Sequence, residues 1–267
     1  MSERVLFPGS CPRDTVCGVS GGRILDCAVS YLADDSTVTE TDLRQVEADR
    51  VVLGSPVRRV RSFAGQRHYC GSFWSATIGA HLVYESRLEL DRLWLADFDP
   101  DVVWIATQPL WLCGDDHGTT RRHVPDVMLK LRSGKFVVVD VKPVEFQARP
   151  GVIEVLDWTS RACAAKGWRY EVWGGADPVI LANIRHLGYA RRAYLLPERG
   201  MRLASAIDPS GFSWGDVADQ LTTAGCDAAG ALIAALLWRG VWRTDLTRPL
   251  GRSSVLTMRE DPICPAA

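Results

Sequence analysis

Two aspartates and a lysine stand at positions of a predicted β-hairpin where aliphatic side chains are expected. The stretch RRHVPDVMLKLRSGKFVVVDVKP contains Asp126, Asp140 and Lys142. Such positions in a sheet normally favour Val or Ile. Paired carboxylates are suited to binding a hard divalent cation, and an ammonium group beside them can stabilise developing negative charge. This combination of groups suits the hydrolysis of a phosphate ester.

The register of this hairpin decides whether the three groups can act together. A three-residue loop would put Gly134 in the left-handed conformation that glycine tolerates, with Leu131 facing Lys135. Counting outward from that pair, Asp126 lies opposite Asp140, and the lysine is two residues further along the same face. The other face is apolar, and we expect it to be buried. A two-residue loop would instead place the two aspartates on opposite faces.

Facing carboxylates in a sheet need a compensating charge. At about 5 Å they repel each other by roughly 3 kcal/mol at an effective dielectric constant of about 20. Mg²⁺, with Mn²⁺ as a substitute, offsets this repulsion because it prefers carboxylate oxygens. Lys142 beside the ion would orient the attacking water and neutralise charge in the transition state. The alternative is an exposed salt bridge between Asp140 and Lys142, which contributes little stability.

A third carboxylate is expected from a helix upstream of the hairpin. Residues 81–98 are rich in helix formers and lack Gly and Pro, so they predict a helix that ends before Pro100. Glu85 and Glu89 are four residues apart on one face of that helix, and Glu89 can complete the acidic site. The alternative is a capping box, in which Glu89 returns to a backbone amide near Ser86. Helical residues upstream of Ser86 would argue against this alternative.

The remaining pattern predicts an α/β fold with a mixed sheet. The predicted elements are a strand at 102–112 that is interrupted by Pro109, a helix at 152–167, a strand at 168–173 and a helix at 178–188. This order gives a sheet with helices on its faces. Further on, two helical patterns and a hairpin follow one another in the order of a winged helix. We therefore divide the chain into a loosely organised segment at 1–56 that leaves room for one hairpin, an α/β domain at 57–196 and a winged-helix-like domain at 197–267.

Composition and charge restrict the class of protein. Of the 267 residues, 47% are hydrophobic, which allows a sizeable core, and the formal net charge of -1 gives no global attraction to nucleic acid or to an anionic membrane. The sequence has neither the pattern of a secretory leader nor that of a spanning helix, so we expect a cytoplasmic protein with no membrane partner. The eight cysteines are scattered singly. We expect them to be small buried residues rather than disulfides or zinc ligands.

Any contact with DNA must then be made by a local basic patch. The stretch VRRVRSFAGQRHYCGSFW places Arg58, Arg59, Arg61 and Arg67 among aromatic residues, which would supply phosphate contacts and stacking platforms. The alternative is a pair of strands with its aromatic residues in the core and its arginines in solvent. The sequence DDHG at 115–118 contains residue types that bind metals, but they are also turn residues, and we expect a hairpin loop there.

These motifs together resemble the TnsA-type endonuclease subunits of heteromeric transposases. The shared features run from ESRLELDRLWLADFDPDVVWIATQPL through the hairpin stretch: a Ser-x-x-Glu helix, an FDPDVV turn, a Gln-Pro strand, a PD strand and an acidic-x-Lys-Pro strand. The resemblance implies a restriction-endonuclease-like core with a mixed sheet flanked by helices, followed by a small winged-helix-like domain. It also implies Mg²⁺-dependent cleavage of DNA, with Glu89, Asp126 and Asp140 as metal ligands and Lys142 completing the catalytic set.

The resemblance also implies partners. Such subunits act on transposon-end DNA beside a separate DDE-type transposase, and an ATPase regulator stays open as a further partner. The sequence departs from the family at Asp140, where Glu or Gln is usual. Two alternatives therefore stand beside an active nuclease: a non-catalytic DNA-binding or assembly subunit of a transposition complex, and a stand-alone restriction or repair nuclease.

Overall fold

The computed structural model describes residues 23–58 and 69–259. Its strands are β1 (Ala28–Leu32), β2 (Val38–Asp42), β3 (Gly71–Ser75), β4 (Ala80–Tyr84), β5 (Val102–Thr107), β6 (Trp111–Asp116), β7 (Thr119–His123), β8 (Val127–Leu131), β9 (Phe136–Val141), β10 (Arg169–Trp173), β11 (Trp242–Thr244) and β12 (Leu256–Met258). Its α-helices are α1 (Ala48–Leu53), α2 (Arg87–Phe98), α3 (Val144–Gln147), α4 (Pro150–Lys166), α5 (Pro178–Leu187), α6 (Glu198–Ser205), α7 (Trp214–Thr223) and α8 (Ala229–Trp238).

The chain forms two compact units. One consists of the described residues within Met1–Arg92 and Val102–Gly175, and the other of those within Leu93–Asp101 and Ala176–Ala267. Helix α2 begins in the first unit and ends in the second. These units do not divide at residues 56 and 196, where the predicted domain boundaries lie. Strands β1 and β2 and helix α1 belong to the first unit, and helix α5 belongs to the second.

The first unit contains a mixed sheet and an antiparallel sheet. The mixed sheet has the order β10-β9-β8-β5, with β10 parallel to β9 and the other neighbours antiparallel. Helix α4 lies between the parallel strands in sequence; it begins at Pro150 and is closed by Gly167 in a left-handed conformation. The antiparallel sheet has the order β2-β1-β6-β7. The predicted α/β class with a mixed sheet flanked by helices is confirmed.

The residues that the sequence assigned to a loose lead-in contribute to the core of this unit. Strand β1 pairs with β2 and with β6, and its alternate residues are buried. Val29 and Leu43 pack in one cluster with Leu112 and with Trp158 of α4. Strands β1 and β2 form the one hairpin for which the sequence left room, and β1 is held in the sheet by pairing with β6, far along the chain.

Two predicted elements are divided in the structure. Residues 81–84 belong to β4, which pairs with β3 in a hairpin, and the helix begins only at Arg87. The predicted strand at 102–112 is two strands, separated at Gln108 and Pro109, and they enter different sheets. At 81–84 pairing with β3 overrides the local helical pattern, whereas the interruption of the second element at Pro109 agrees with the local sequence.

The second unit contains the two helices and the hairpin predicted near the end of the chain. Helix α7 starts with a capping box between Ser213 and Asp216, and β11 pairs antiparallel with β12. Trp238 and Trp242 are buried in the core of this unit. The helices in the described residues are all too short or too polar to cross a membrane.

Candidate functional site

The structure confirms the predicted register of the β8–β9 hairpin. Val127 pairs with Val139, and Gly134 in the turn has a φ of 78°. Extending the ladder by one pair beyond Val127 brings Asp126 opposite Asp140. The paired residues of the ladder end at Val127 and Val139, and Asp126 and Asp140 are the next residues beyond that pair.

The hairpin is buried on both faces. The predicted apolar face is buried at Val127, Val137 and Val139, while Met128 and Val138 on the other face join the core that contains Trp158. Asp140 lies on this second face and is only 1% exposed. A carboxylate this deeply buried must be paired or hydrogen-bonded.

Asp140 is held by two side chains that the sequence did not indicate. His123 at the end of β7 places its Nε2 2.8 Å from each carboxylate oxygen, so Nε2 carries the proton and donates it. The hydroxyl group of Tyr170 on β10 donates to Oδ2 of Asp140. Burial first, and then the Asp140 charge, raises the pKa of Tyr170, which keeps this hydroxyl protonated as a donor.

Asp126 is the carboxylate with the most perturbed electrostatics. Its Oδ2 accepts a hydrogen bond from the Val141 backbone N–H at 2.7 Å, and its Oδ1 has no hydrogen-bond partner among the described residues. Burial and then the charge of Asp140 raise the pKa of Asp126 to about 7, and Glu89 adds to the rise. The Val141 N–H and Lys142 act in the opposite direction. Three carboxylates and one ammonium group therefore share one electrostatic environment.

Glu89 forms the capping box that was the alternative to an acidic site. Ser86 Oγ accepts from the Glu89 N–H at 3.1 Å and donates to Oε1 at 2.9 Å, and Oε2 accepts from the Glu85 N–H at 2.8 Å. The expectation of helical residues upstream of Ser86 is wrong, because those residues are strand β4. Burial raises the pKa of Glu89, so its carboxylate is both capping the helix and poorly solvated.

Lys142 follows β9 directly. Its backbone N–H donates to the Trp173 carbonyl at 2.9 Å and its carbonyl accepts from Gln147 at 2.9 Å, which fixes the backbone at this point. No salt bridge joins Lys142 to Asp140, although both residues are described. The simple ion pair considered from the sequence is therefore not formed.

The carboxylates of Asp126, Asp140 and Glu89 do not form a preformed metal-binding group in this structure. Within residues 23–58 and 69–259, no three His, Cys, Asp or Glu side chains lie together as a group able to hold a metal ion. Asp140 and Glu89 use their oxygens in the hydrogen bonds described above. Coordination by all three carboxylates would require some of these bonds to be exchanged for metal contacts.

The other predicted sites are partly described. Arg58 is exposed, lies 5.8 Å from the ring centroid of Trp111, and its charge lowers the pKa of Glu89. Arg59, Arg61 and Arg67 lie outside the described residues. The sequence DDHG forms the predicted hairpin turn between β6 and β7, in which Asp115 accepts from the Gly118 N–H.

Several cysteines are buried, as expected. Cys27, Cys113, Cys163 and Cys226 lie in the interior, and Cys70 is partly buried. Burial raises the pKa of Cys163 to about 12. These side chains pack as small apolar groups.

Comparison with known proteins identifies no family for the chain. No model of a protein family matches it, and a search of curated proteins finds no match. Its function is therefore inferred from the residues around Asp126.

Proposed function

We propose that this protein is a Mg²⁺-dependent DNA endonuclease subunit of a heteromeric transposase that hydrolyses phosphodiester bonds at transposon ends. The observation that carries the proposal is the hairpin register, in which Asp126 and Asp140 directly follow the Val127–Val139 pair at the end of a buried sheet. Glu89 and Lys142 are close enough to change the pKa of Asp126. The residue types and the order of elements that resemble TnsA-type subunits supply the reaction class.

The electrostatics of Asp126 support a cation at this place. Its carboxylate is poorly solvated and lies near two other carboxylates, so its charged form is disfavoured in the metal-free protein. A divalent cation would reverse this preference. The donors are carboxylate oxygens, which suit Mg²⁺ and its substitute Mn²⁺. Asp126, Asp140 and Glu89 would hold the ion, which when bound polarises the phosphate and acidifies water.

Lys142 is the charge-stabilising group of the proposed site. It is partly buried, and the hydrogen bonds on both sides of its peptide unit fix where its side chain starts. A positioned ammonium group stabilises the negative charge that develops on a phosphate during hydrolysis. We expect its removal to slow cleavage without preventing metal binding.

The wider architecture agrees with this function. We interpret the first unit as a restriction-endonuclease-like core and the helices α7 and α8 with the β11–β12 hairpin as a winged-helix-like domain. In this interpretation the protein binds transposon-end DNA beside a DDE-type transposase and an ATPase regulator. The exposed Arg58 is the described part of the proposed DNA contact.

The test is cleavage of transposon-end DNA by the purified chain, alone and with its transposase partner. Nicking should require Mg²⁺ or Mn²⁺; Asp126→Asn should abolish it, and Lys142→Ala should slow it. Asp116→Asn is the matched control, since Asp116 is a buried carboxylate of the same unit whose partners are Arg121 and Arg161. Equal cutting by Asp126→Asn and wild type would refute the assignment.

A non-catalytic assembly subunit is the second candidate. It is favoured by the bonds that His123 and Tyr170 make to Asp140, which leave that carboxylate satisfied without a metal. A scaffold of this kind would still bind DNA but would show no divalent-cation binding that depends on Asp126. The metal titration described at the end of the Discussion separates the two functions.

A further inference from the structure

The connection between β5 and β6 contains a backbone conformation that is costly for its residue type. Gln108 has a φ of 47°, is only 2% exposed and is followed by Pro109. Residues other than glycine rarely adopt positive φ, and a following proline restricts the backbone further. Such a conformation persists only when surrounding contacts hold it in place, and it is typical of functional sites.

The contacts that hold Gln108 connect the two sides of the candidate site. Its backbone N–H donates to the carbonyl of Asp126 at 2.9 Å, and its carbonyl accepts from the Val57 N–H at 2.9 Å. Its side-chain Nε2 donates to Oε1 of Glu85 at 2.8 Å. The Glu85 backbone N–H in turn donates to Oε2 of Glu89 at 2.8 Å. One residue therefore bonds directly to the strand aspartate and, through Glu85, to the helix glutamate.

This chain of bonds has a geometric consequence. Asp126 precedes β8, while Glu85 and Glu89 lie at the junction of β4 and α2. Because Gln108 is buried, its bond to a carboxylate is shielded from water and is stronger than an exposed one. Its Oε1 has no partner in the described parts of the chain. The contribution of the Gln108 side chain therefore comes from its Nε2 donor and not from its carbonyl oxygen.

We infer that Gln108 is a positioning residue that fixes the Glu85–Glu89 junction against Asp126. It touches neither a metal nor a substrate in this role. Its importance for metal binding rests on the proposed function, whereas the fixing of Glu85 is a property of the protein by itself. If Gln108 only filled space, a substitution that preserved its side-chain volume would not change hydrogen exchange at the Glu85 amide.

The test uses Gln108→Met in the full chain, which keeps the length of the side chain and removes the Nε2 donor. Amide hydrogen exchange followed by NMR, without metal, should be at least about tenfold faster at Glu85, since a hydrogen bond to a charged group is lost. Exchange at Val141, whose N–H is bonded to the Asp126 carboxylate, should change by less than about twofold. The Mn²⁺ dissociation constant should rise about tenfold.

Two further variants separate positioning from a general loss of stability. Asn183→Leu removes another buried amide, which in the second unit bonds to the carbonyls of Leu246 and Arg248. It should leave exchange at Glu85 unchanged. Glu85→Met removes the acceptor of the Gln108 bond, should weaken Mn²⁺ binding by the same factor, and serves if Gln108→Met does not fold. Combined with Gln108→Met it should add little, because both changes remove one interaction.

The outcomes are distinguishable from those of the proposed function. If wild type binds no Mn²⁺ through Asp126, the proposed function fails, while the exchange rate at Glu85 still decides the role of Gln108. If Gln108→Met changes exchange at Glu85 no more than Asn183→Leu does, the inference is overturned. It is also overturned if the effects of Gln108→Met and Glu85→Met on Mn²⁺ affinity simply add.

Discussion

Replacement of Asp126 by Asn should make the protein more stable above neutral pH, even though it removes a proposed metal ligand. Burial and the neighbouring charges of Asp140 and Glu89 raise the pKa of Asp126 from its ordinary value of 3.8 to about 7. Asn is neutral at every pH, has nearly the same shape and can accept the bond from the Val141 N–H. The substitution therefore removes the cost of the buried charge and keeps the packing.

The size and sign of the effect follow from the pKa. Below pH 3.8 Asp126 is protonated in both the folded and the unfolded chain, so the charge has no effect on folding. Between that pH and about 7 the unfolded chain loses its proton first, and wild-type stability falls as the pH rises. The full difference corresponds to about 4 kcal/mol as an upper limit. Relaxation of the neighbouring carboxylates reduces this, and we expect a gain of about 2 to 4 kcal/mol.

Urea denaturation of both proteins between pH 4 and pH 9, without divalent cations, is the appropriate assay. The difference in the free energy of unfolding should be small at the acidic end, grow towards pH 7 and then stay constant. Asp116→Asn is the control and should show the reverse, because bonds to Arg161 and Arg121 lower the pKa of Asp116 and make its charge stabilising. If Asp126→Asn were equally destabilising at pH 5 and pH 8, the electrostatic account of the site would be refuted.

Three further substitutions test the surrounding structure, each by the midpoint of urea denaturation at neutral pH. Ser86→Ala removes the cap of α2 and should cost about 1 kcal/mol; no loss would contradict the capping box that holds Glu89. Tyr170→Phe deletes one of the two side-chain donors to Asp140 and should cost about 1.5 to 3 kcal/mol, and a neutral result would contradict a stabilising Tyr170–Asp140 hydrogen bond. Gly134→Ala meets no atom within 4 Å but keeps a φ of 78°, so it should cost about 1 to 2 kcal/mol; an increase in stability would contradict the turn geometry.

The hairpin could be predicted because its local signals agree with each other. Gly134 fixed the length of the turn, and alternation along both strands then determined which residues face each other. The end of α4 was predicted at Gly167 for the same reason, since a left-handed glycine terminates a helix within its own sequence neighbourhood. Where a single residue determines the local backbone conformation, the sequence is sufficient to predict the element.

The partners of Asp140 could not be predicted because they depend on pairing between distant strands. Tyr170 reaches Asp140 because β10 lies parallel to β9, with Tyr170 beside Val138. The register of a parallel pair is not set by any turn. His123 belongs to β7, which is not among the predicted strands. Only the prediction of a strand at residues 119–123 would have indicated that His123 could reach Asp140.

The start of α2 was misplaced for a related reason. Residues 81–84 contain no helix breaker, and their composition fits either a helix or a strand. The hairpin with β3 decides in favour of the strand. Ser86 and Glu89 did carry the capping signature, so local capping residues were a better guide here than the absence of Gly and Pro.

Titration of the full-length protein with Mn²⁺, followed by the EPR signal of the free ion, tests the central claim most directly. We predict a binding site that is present in wild type, Lys142→Ala and Asp116→Asn and is lost in Asp126→Asn. Its affinity should rise as the pH increases towards about 7, the pKa of Asp126, because the cation displaces a proton. Mn²⁺ binding that is absent from wild type, or that is the same in Asp126→Asn, would contradict the account.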